Sequence, residues 1–600
     1  MSAELLYSQD CNSEIVSHIS YRFASKSKLT RIDTVTLQIN NRAGDSDALI
    51  AIPFNKKEKL SIDDAWIEDP KGTIVRKLKR NEIKQQSAVS DFSLYEDDFI
   101  KYFELKHNNY PYKVVYCFTH STSDFFSIVN WQANYKNKSP IRKMNIVVYL
   151  PLDYDIRYSQ KNTSLPVVDT LNNKRQLIWN INYSPVKRQT NAPVADLKLP
   201  QVNVVPIDFK FGKKGSWENW ESFGNWVSDL NNKLDKLPDT EKNKIDRLLH
   251  GVNGKRKKAE ILYQYLQDYT RYINVSINLG VFKSYPAEYV AQNKYGDCKA
   301  LSNYMVTMLD YAGIESYYTL IQSGDEVKEI DKSFPSQVFN HVIVTIPFEN
   351  DTIFLECTSK NLPFGYLGTF TQGREALIIL PNGKSRFIST PQLSNYDVLC
   401  TRKINAPILM ADSDVDMKII SRGDDYEQFT LLALGINRNT AERYIRNYIL
   451  QGSFELLDYQ FDKKDRDTAV IGFAAKLRMP DVAKKYGEKL LLSPFPHELG
   501  IYEEPEKRTQ ALQFDYPVFY KDTIEYVFSN AVDKSFTTEY TELNTKFGNY
   551  AKQIYANENK IILIKTISIN RGKYALTDYK EFYNFITTIW NNEKKNVYIH

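Results

Sequence analysis

Through the first 206 residues, apolar and polar side chains alternate in short runs. Val35, Leu37 and Ile39 stand between polar neighbours, and residues 48–52, 112–118, 145–150 and 176–181 behave alike. Clusters of Asn, Asp, Gly and Pro separate these runs. A period of two sends alternate side chains to opposite faces, so the pattern predicts strands, and their number predicts a β-sandwich. Residues 199–206 read as a linker or a crossing strand.

The period changes near Ser216. Trp217, Trp220, Phe223, Trp226, Val227 and Leu230 fall near one face of a helix, where aromatic side chains form core. Helical spacing continues at 244–249 and 257–269. It returns in Leu301, Met305, Met308, Leu309 and Ala312, with Gly313 closing the run. Residues 339–346 and 352–358 then read as strands joined through 347–351. Helices followed by an antiparallel sheet predict an α+β domain over 207–390. The remaining 391–600 turns β-rich again, with strands expected at 415–421, 428–434, 469–477 and 560–569. Two helices interrupt them. One starts near Asn439 with Glu442 as a partial capping box. The other covers 579–590, where Phe582, Phe585, Ile586 and Ile589 make the buried face.

Six hundred residues exceed what one hydrophobic core serves, which supports several domains. A hydrophobic fraction of 42% with 25% charged residues is that of a soluble globular chain. The net charge of +5 is small for this length and the basic residues are dispersed, which argues against a nucleic-acid partner. The 41 tyrosines suit half-buried strands, and they also admit a glycan-binding groove in the β-domains. No apolar run approaches the ~18 residues of a membrane helix. The chain opens on Met1-Ser2-Ala3-Glu4 without a secretory signal. Five cysteines, Cys11, Cys117, Cys298, Cys357 and Cys400, lie far apart, and no pair has metal-ligand spacing.

Cys298 stands out among them. It follows Tyr295-Gly296-Asp297 at the start of the helical run. Asp297 suits the N-cap, because its carboxylate can accept a first-turn N–H. A cysteine in that turn meets unpaired N–H groups and the positive end of the helix dipole, which favour thiolate over thiol. A thiol nucleophile also needs a base, and the base needs a partner that orients it. His341, 43 residues further on at the start of an expected strand, is the best placed of seven histidines. Glu356, on the next strand, is the candidate acid. An even number of residues in the connection puts both on one face. Pairing His341 with Thr358 sets Glu356 diagonally opposite, within reach of a long side chain. Cys357 then faces the core. Asp351 is the fallback acid, though it reads as a turn residue. The backbone N–H of Cys298 is one expected oxyanion donor, and the second is expected from the loop 280–286, with Tyr285 one candidate.

Arg271-Tyr272-Ile273, Gly280, Pro286-Ala287-Glu288 and Tyr295-Gly296-Asp297-Cys298-Lys299 together resemble the transglutaminase-like superfamily. The nearest likeness is to a bacterial group in which a β-rich N-terminal domain of unknown function precedes the core and a β-rich domain follows it. Residues 578–583 resemble that group's C-terminal region. The resemblance implies an α+β multidomain chain: an N-terminal β-sandwich at 1–206, a papain-like transglutaminase-like core at 207–390, and a C-terminal β-rich domain at 391–600. It implies Cys298 as nucleophile and His341 as base. Glu356 stands where the superfamily commonly has Asp. The expected activity is attack on the amide of a peptide or protein through a Cys298 thioester, with hydrolysis favoured over transamidation. An inactive scaffold of the cell envelope and a glycan-binding module are the alternatives. No metal or organic cofactor is expected, and calcium is not implied, because no dense carboxylate loop is evident. The bacterial group further suggests a periplasmic or exported location with the leader absent from this chain, a cytoplasmic one being the alternative.

Overall fold

The computed structural model describes residues 11–599 apart from 26, 57, 88–92, 97, 124, 136–137, 277–281, 410–411, 436, 451, 464, 481, 488 and 533–537. Strand outweighs helix, at 43% against 23%, in a multidomain arrangement of many sheets.

The N-terminal part is built on an eight-stranded sheet whose middle strands are Ser13–Ser25, Lys28–Ile39 and Tyr112–Ser123. Period-two patterning supplies its buried side chains. Ile19, Phe23, Ile146 and Trp179 pack on Val129, Val202 and Val204 of one three-stranded sheet. Leu37, Ile39 and Val114 pack on Ile50, Ile52 and Phe103 of another. The ambiguous segment is a strand, Gln201–Pro206, in the middle of the first small sheet.

The central part has a five-stranded antiparallel sheet. Its order is Asp351–Leu355, His341–Phe348, Tyr317–Ile321, Glu375–Ile379 and Ser385–Ser389. Helix Cys298–Tyr311 lies against it: Leu301, Met305 and Met308 share a core with Val344, Ile346 and Leu355. Gly313, at φ +69°, turns the chain out of that helix. The tryptophan-rich stretch forms helix Trp220–Leu230, capped by Asn219, and Trp217 stacks on Phe223 ahead of it with ring centroids 4.6 Å apart.

The C-terminal part carries a second eight-stranded sheet. Helix Tyr579–Lys594 covers part of it, with Phe582, Phe585, Ile586 and Ile589 buried. Two expectations change here. Residues 428–434 are helix, inside Gly423–Gly435, and not strand. Tyr426, Phe429 and Leu432 are buried while Leu431 and Leu434 are exposed, a helical period that a short apolar run conceals. The following helix is Arg438–Tyr444, one residue earlier than expected, and its cap is Asn437. The Asn437 side chain accepts from Thr440 N, and Glu442 pairs instead with Arg438 at 3.0 Å.

Candidate functional site

Each residue of Gly296-Asp297-Cys298-Lys299 has a local reason. Asp297 is extended and caps the helix, its carboxylate accepting from Ala300 N at 2.9 Å. Cys298 is therefore the first helical residue, and its backbone N–H has no acceptor inside the helix. Lys299 is buried and its Nζ lies 2.6 Å from Asp297 Oδ2. Gly296 sits so close beneath the first turn that a Cβ there would come within 2.7 Å of the Ala300 Cβ. Ser302, one turn on, donates to Val342 O at 3.2 Å and ties the helix to the strand that begins at His341.

The hairpin brings the other two side chains together. Phe348 pairs with Asp351 across a two-residue turn, and Val344 pairs with Leu355. Continued, that register sets His341 opposite Thr358 and Glu356 on the diagonal. His341 Nε2 lies 2.8 Å from Glu356 Oε2. Cys298 lies near enough to the same imidazole to be among the groups that raise its pKa. Cys298 is 8% exposed, and the side chains of His341 and Glu356 are 10% and 7% exposed, so the three meet with little water between them.

That seclusion sets the charges. Burial disfavours the imidazolium, but the Glu356 carboxylate, its hydrogen bond and the nearby Cys298 outweigh it, and the His341 pKa is pushed up to about 10. Burial also opposes the Glu356 carboxylate. The His341 charge and hydrogen bonds from His341 and Thr358 prevail and hold it below the usual carboxylate range. The two shifts agree on a charged pair. Thr358 donates both its N–H, at 3.1 Å, and its hydroxyl to Glu356 Oε1. Tyr263 Oη donates to the Glu356 carbonyl at 2.8 Å.

The remaining sequence candidates fall elsewhere. Cys357 is buried in the core beneath the helix, where burial first and then the Glu356 charge raise its pKa. Asp351, the fallback acid, is exposed at the hairpin turn and paired with Arg256. Of the loop considered for a second oxyanion donor, residues 280–281 lie outside the described residues. Ser284 N is spent on Asn231 Oδ1 at 2.8 Å, and Tyr285 stacks on Tyr289 at 4.8 Å. All five cysteines are free thiols. Among the described residues, no group of three or more His, Cys, Asp or Glu gathers as a metal site, and no helix is long and apolar enough to cross a membrane. Sequence reading used Thr358 only as a register mark. Its signal was present, since a threonine two residues beyond a carboxylate can close a local side-chain turn.

Comparison with known proteins places the two ends of the chain. A domain of unknown function, DUF3857, matches residues 25–187, and another, DUF3858, matches residues 488–599. Over nearly the whole chain the fold is that of the crystal structure of a "putative protease" from Parabacteroides distasonis. The TM-score is 0.65 at 11% identity, covering 98% of this chain and 99% of that one. At such identity the likeness is one of fold. An M1 zinc metallopeptidase from Deinococcus radiodurans aligns over 40% of this chain and 53% of its own at 10% identity, but its TM-score of 0.18 carries no argument. No curated protein matches.

Proposed function

We propose that this chain is a cysteine enzyme of the transglutaminase-like type that cleaves amide bonds in a peptide or protein. One observation carries the reading: a cysteine at the first position of a helix lies by an imidazole whose Nε2 is held by a buried carboxylate. Nucleophile, base and orienting acid each have their chemical requirement met.

In this reading the Cys298 sulfur, as thiolate, attacks the amide carbon and a C–S bond forms. The carbonyl oxygen becomes an oxyanion facing the Cys298 N–H. As it collapses, the C–N bond breaks and His341 gives its proton to the departing amine. Water then attacks the thioester, His341 takes the water's proton, and the C–S bond breaks to release a carboxylic acid. An amine in place of water gives transamidation. Hydrolysis is the favoured outcome because water is always at hand. Glu356 keeps the ring in place and stabilises its charge throughout.

The division into an N-terminal β-sandwich at 1–206, a transglutaminase-like core at 207–390 and a C-terminal β-rich domain at 391–600 belongs to the same proposal. The two small sheets packed on the N-terminal sheet support the sandwich, and the helix-on-sheet layout around Cys298 supports the core. A periplasmic or exported site of action follows from the family resemblance. The flanking β-domains would present or restrict the substrate.

The test is thiol labelling. Iodoacetamide at pH about 6, well below the ~8.5 of a free thiol, is applied to the folded protein and the modified cysteines are read by mass spectrometry. Fast, selective modification of Cys298, lost in His341→Ala, is expected. Uniform slow modification of all thiols would refute the enzyme and favour an inactive scaffold.

A further inference from the structure

Beside the imidazole, the short helix Gly368–Thr371 carries one large side chain that the core does not take. Phe370 is 47% exposed, although Leu367, three residues before it, and Thr371, the next residue, are buried. Its ring stands edge-on to His341, with centroids 6.1 Å apart and planes at 75°.

The backbone under this ring is held from several directions. Glu427, on helix Gly423–Gly435 of the C-terminal part, accepts from Tyr366 Oη at 2.8 Å, Thr369 N at 2.9 Å and Thr369 Oγ1 at 2.6 Å. Gly324 N donates to Phe370 O at 3.2 Å, and Arg374 Nη2 donates to Thr369 O at 3.3 Å. Thr371 Oγ1 donates to Leu367 O at 2.8 Å. Gly368 has φ +71°, and a Cβ there would lie 2.6 Å from Glu427 Oε1, so the clamp closes only on glycine.

An aromatic ring on a backbone held this firmly has lost part of the freedom that binding removes, and it still has apolar surface to cover. Here that surface adjoins the group that protonates the departing amine. We propose that Phe370 is a substrate-contacting specificity residue. It selects amides whose leaving-group side carries an apolar, preferably aromatic, side chain. Glu427 is the positioning residue that presents it from the C-terminal part of the chain. The inference rests on the cysteine-enzyme reading above and names the substrate class for that site.

Two alkylating probes test it: iodoacetamide and its N-benzyl derivative, whose ring extends from the amide nitrogen. The readout is the ratio of their rates at Cys298, normalised to the ratio for 2-mercaptoethanol. A ratio about tenfold in favour of the benzyl probe is expected for the unmodified protein, the size set by covering part of an aromatic ring. Phe370→Ala should bring the ratio to that of the small thiol. Phe370→Leu should keep part of the preference, and Glu427→Gln should lower it without touching the ring itself. A benzyl preference that survives Phe370→Ala, or no preference in the unmodified protein while Cys298 still reacts fast, overturns this proposal alone. Slow reaction of Cys298 with both probes overturns the cysteine-enzyme reading and this proposal with it.

Discussion

Thr358 holds Glu356 by one carboxylate oxygen and leaves the other to His341: N–H and hydroxyl both reach Oε1, while Oε2 meets the imidazole at 2.8 Å. A glutamate has one more rotatable bond than an aspartate, and this two-point grip removes the added freedom. Thr358→Val keeps the shape and the N–H but deletes the hydroxyl donor. A hydrogen bond to a charged group is worth about 1.5–3 kcal/mol, so the Cys298 alkylation rate at pH about 6 should fall by roughly tenfold or more. Thr358→Ser should restore it. Equal rates in all three proteins would deny the grip any part in orienting the imidazole.

The His341–Glu356 pair also shapes stability with pH. The His341 pKa is raised from 6.5 to about 10, so its contribution is complete below pH 6.5 and fades as pH rises toward 10. The Glu356 pKa is lowered from 4.5, so its contribution is complete above pH 4.5 and fades as pH falls below that. Both act fully only between pH 4.5 and 6.5. Glu356→Gln leaves a buried imidazolium without its counter-charge and should cost about 3–5 kcal/mol in that window. The gap in melting temperature between the two proteins should narrow toward pH 10, as His341 of the unmodified protein sheds the proton that the carboxylate holds there. A gap independent of pH would show that the loss is one of packing.

How far the site was legible before folding depended on the range of its contacts. Cys298 could be read because its setting is local: an aspartate cap, a helical apolar period and a closing glycine lie within sixteen residues of one another. The His341–Glu356 geometry could be read because strand parity carries it across a two-residue turn. The strand Tyr317–Ile321, which pairs with His341–Phe348, was missed, since its five residues offer too short a pattern. The segment 428–434 was misread because a run of apolar residues suits either period until its two faces are known. Phe370 and Glu427 were invisible for a different reason. Their roles arise from a carboxylate on one helix gripping a turn about sixty residues earlier, and no local pattern announces such an encounter.

The start of the Cys298 helix supplies the last prediction. Asp297 has two tasks: Oδ1 caps the helix by accepting from Ala300 N, and Oδ2 pairs with the buried Lys299 ammonium. Burial opposes that ammonium, but the charges of Cys298 and Asp297 prevail and raise its pKa. Asp297→Asn keeps a capping oxygen and loses the charge. Asp297→Ala loses both, and a lost cap alone costs about 0.5–2 kcal/mol. If the tasks are separable, chemical denaturation should rank the proteins unmodified, then Asn, then Ala. Adding Lys299→Met, which fills similar space without charge, should rescue much of the Asn variant's loss, because the cost there is an unpaired buried ammonium. It should rescue little of the cap's share in the Ala variant. The cap also fixes where the helix begins, and so where the sulfur stands. Cys298 alkylation should therefore slow more in Asp297→Ala plus Lys299→Met than in Asp297→Asn plus Lys299→Met. Equal rates in the two double variants would show that the helix keeps its starting residue without the cap.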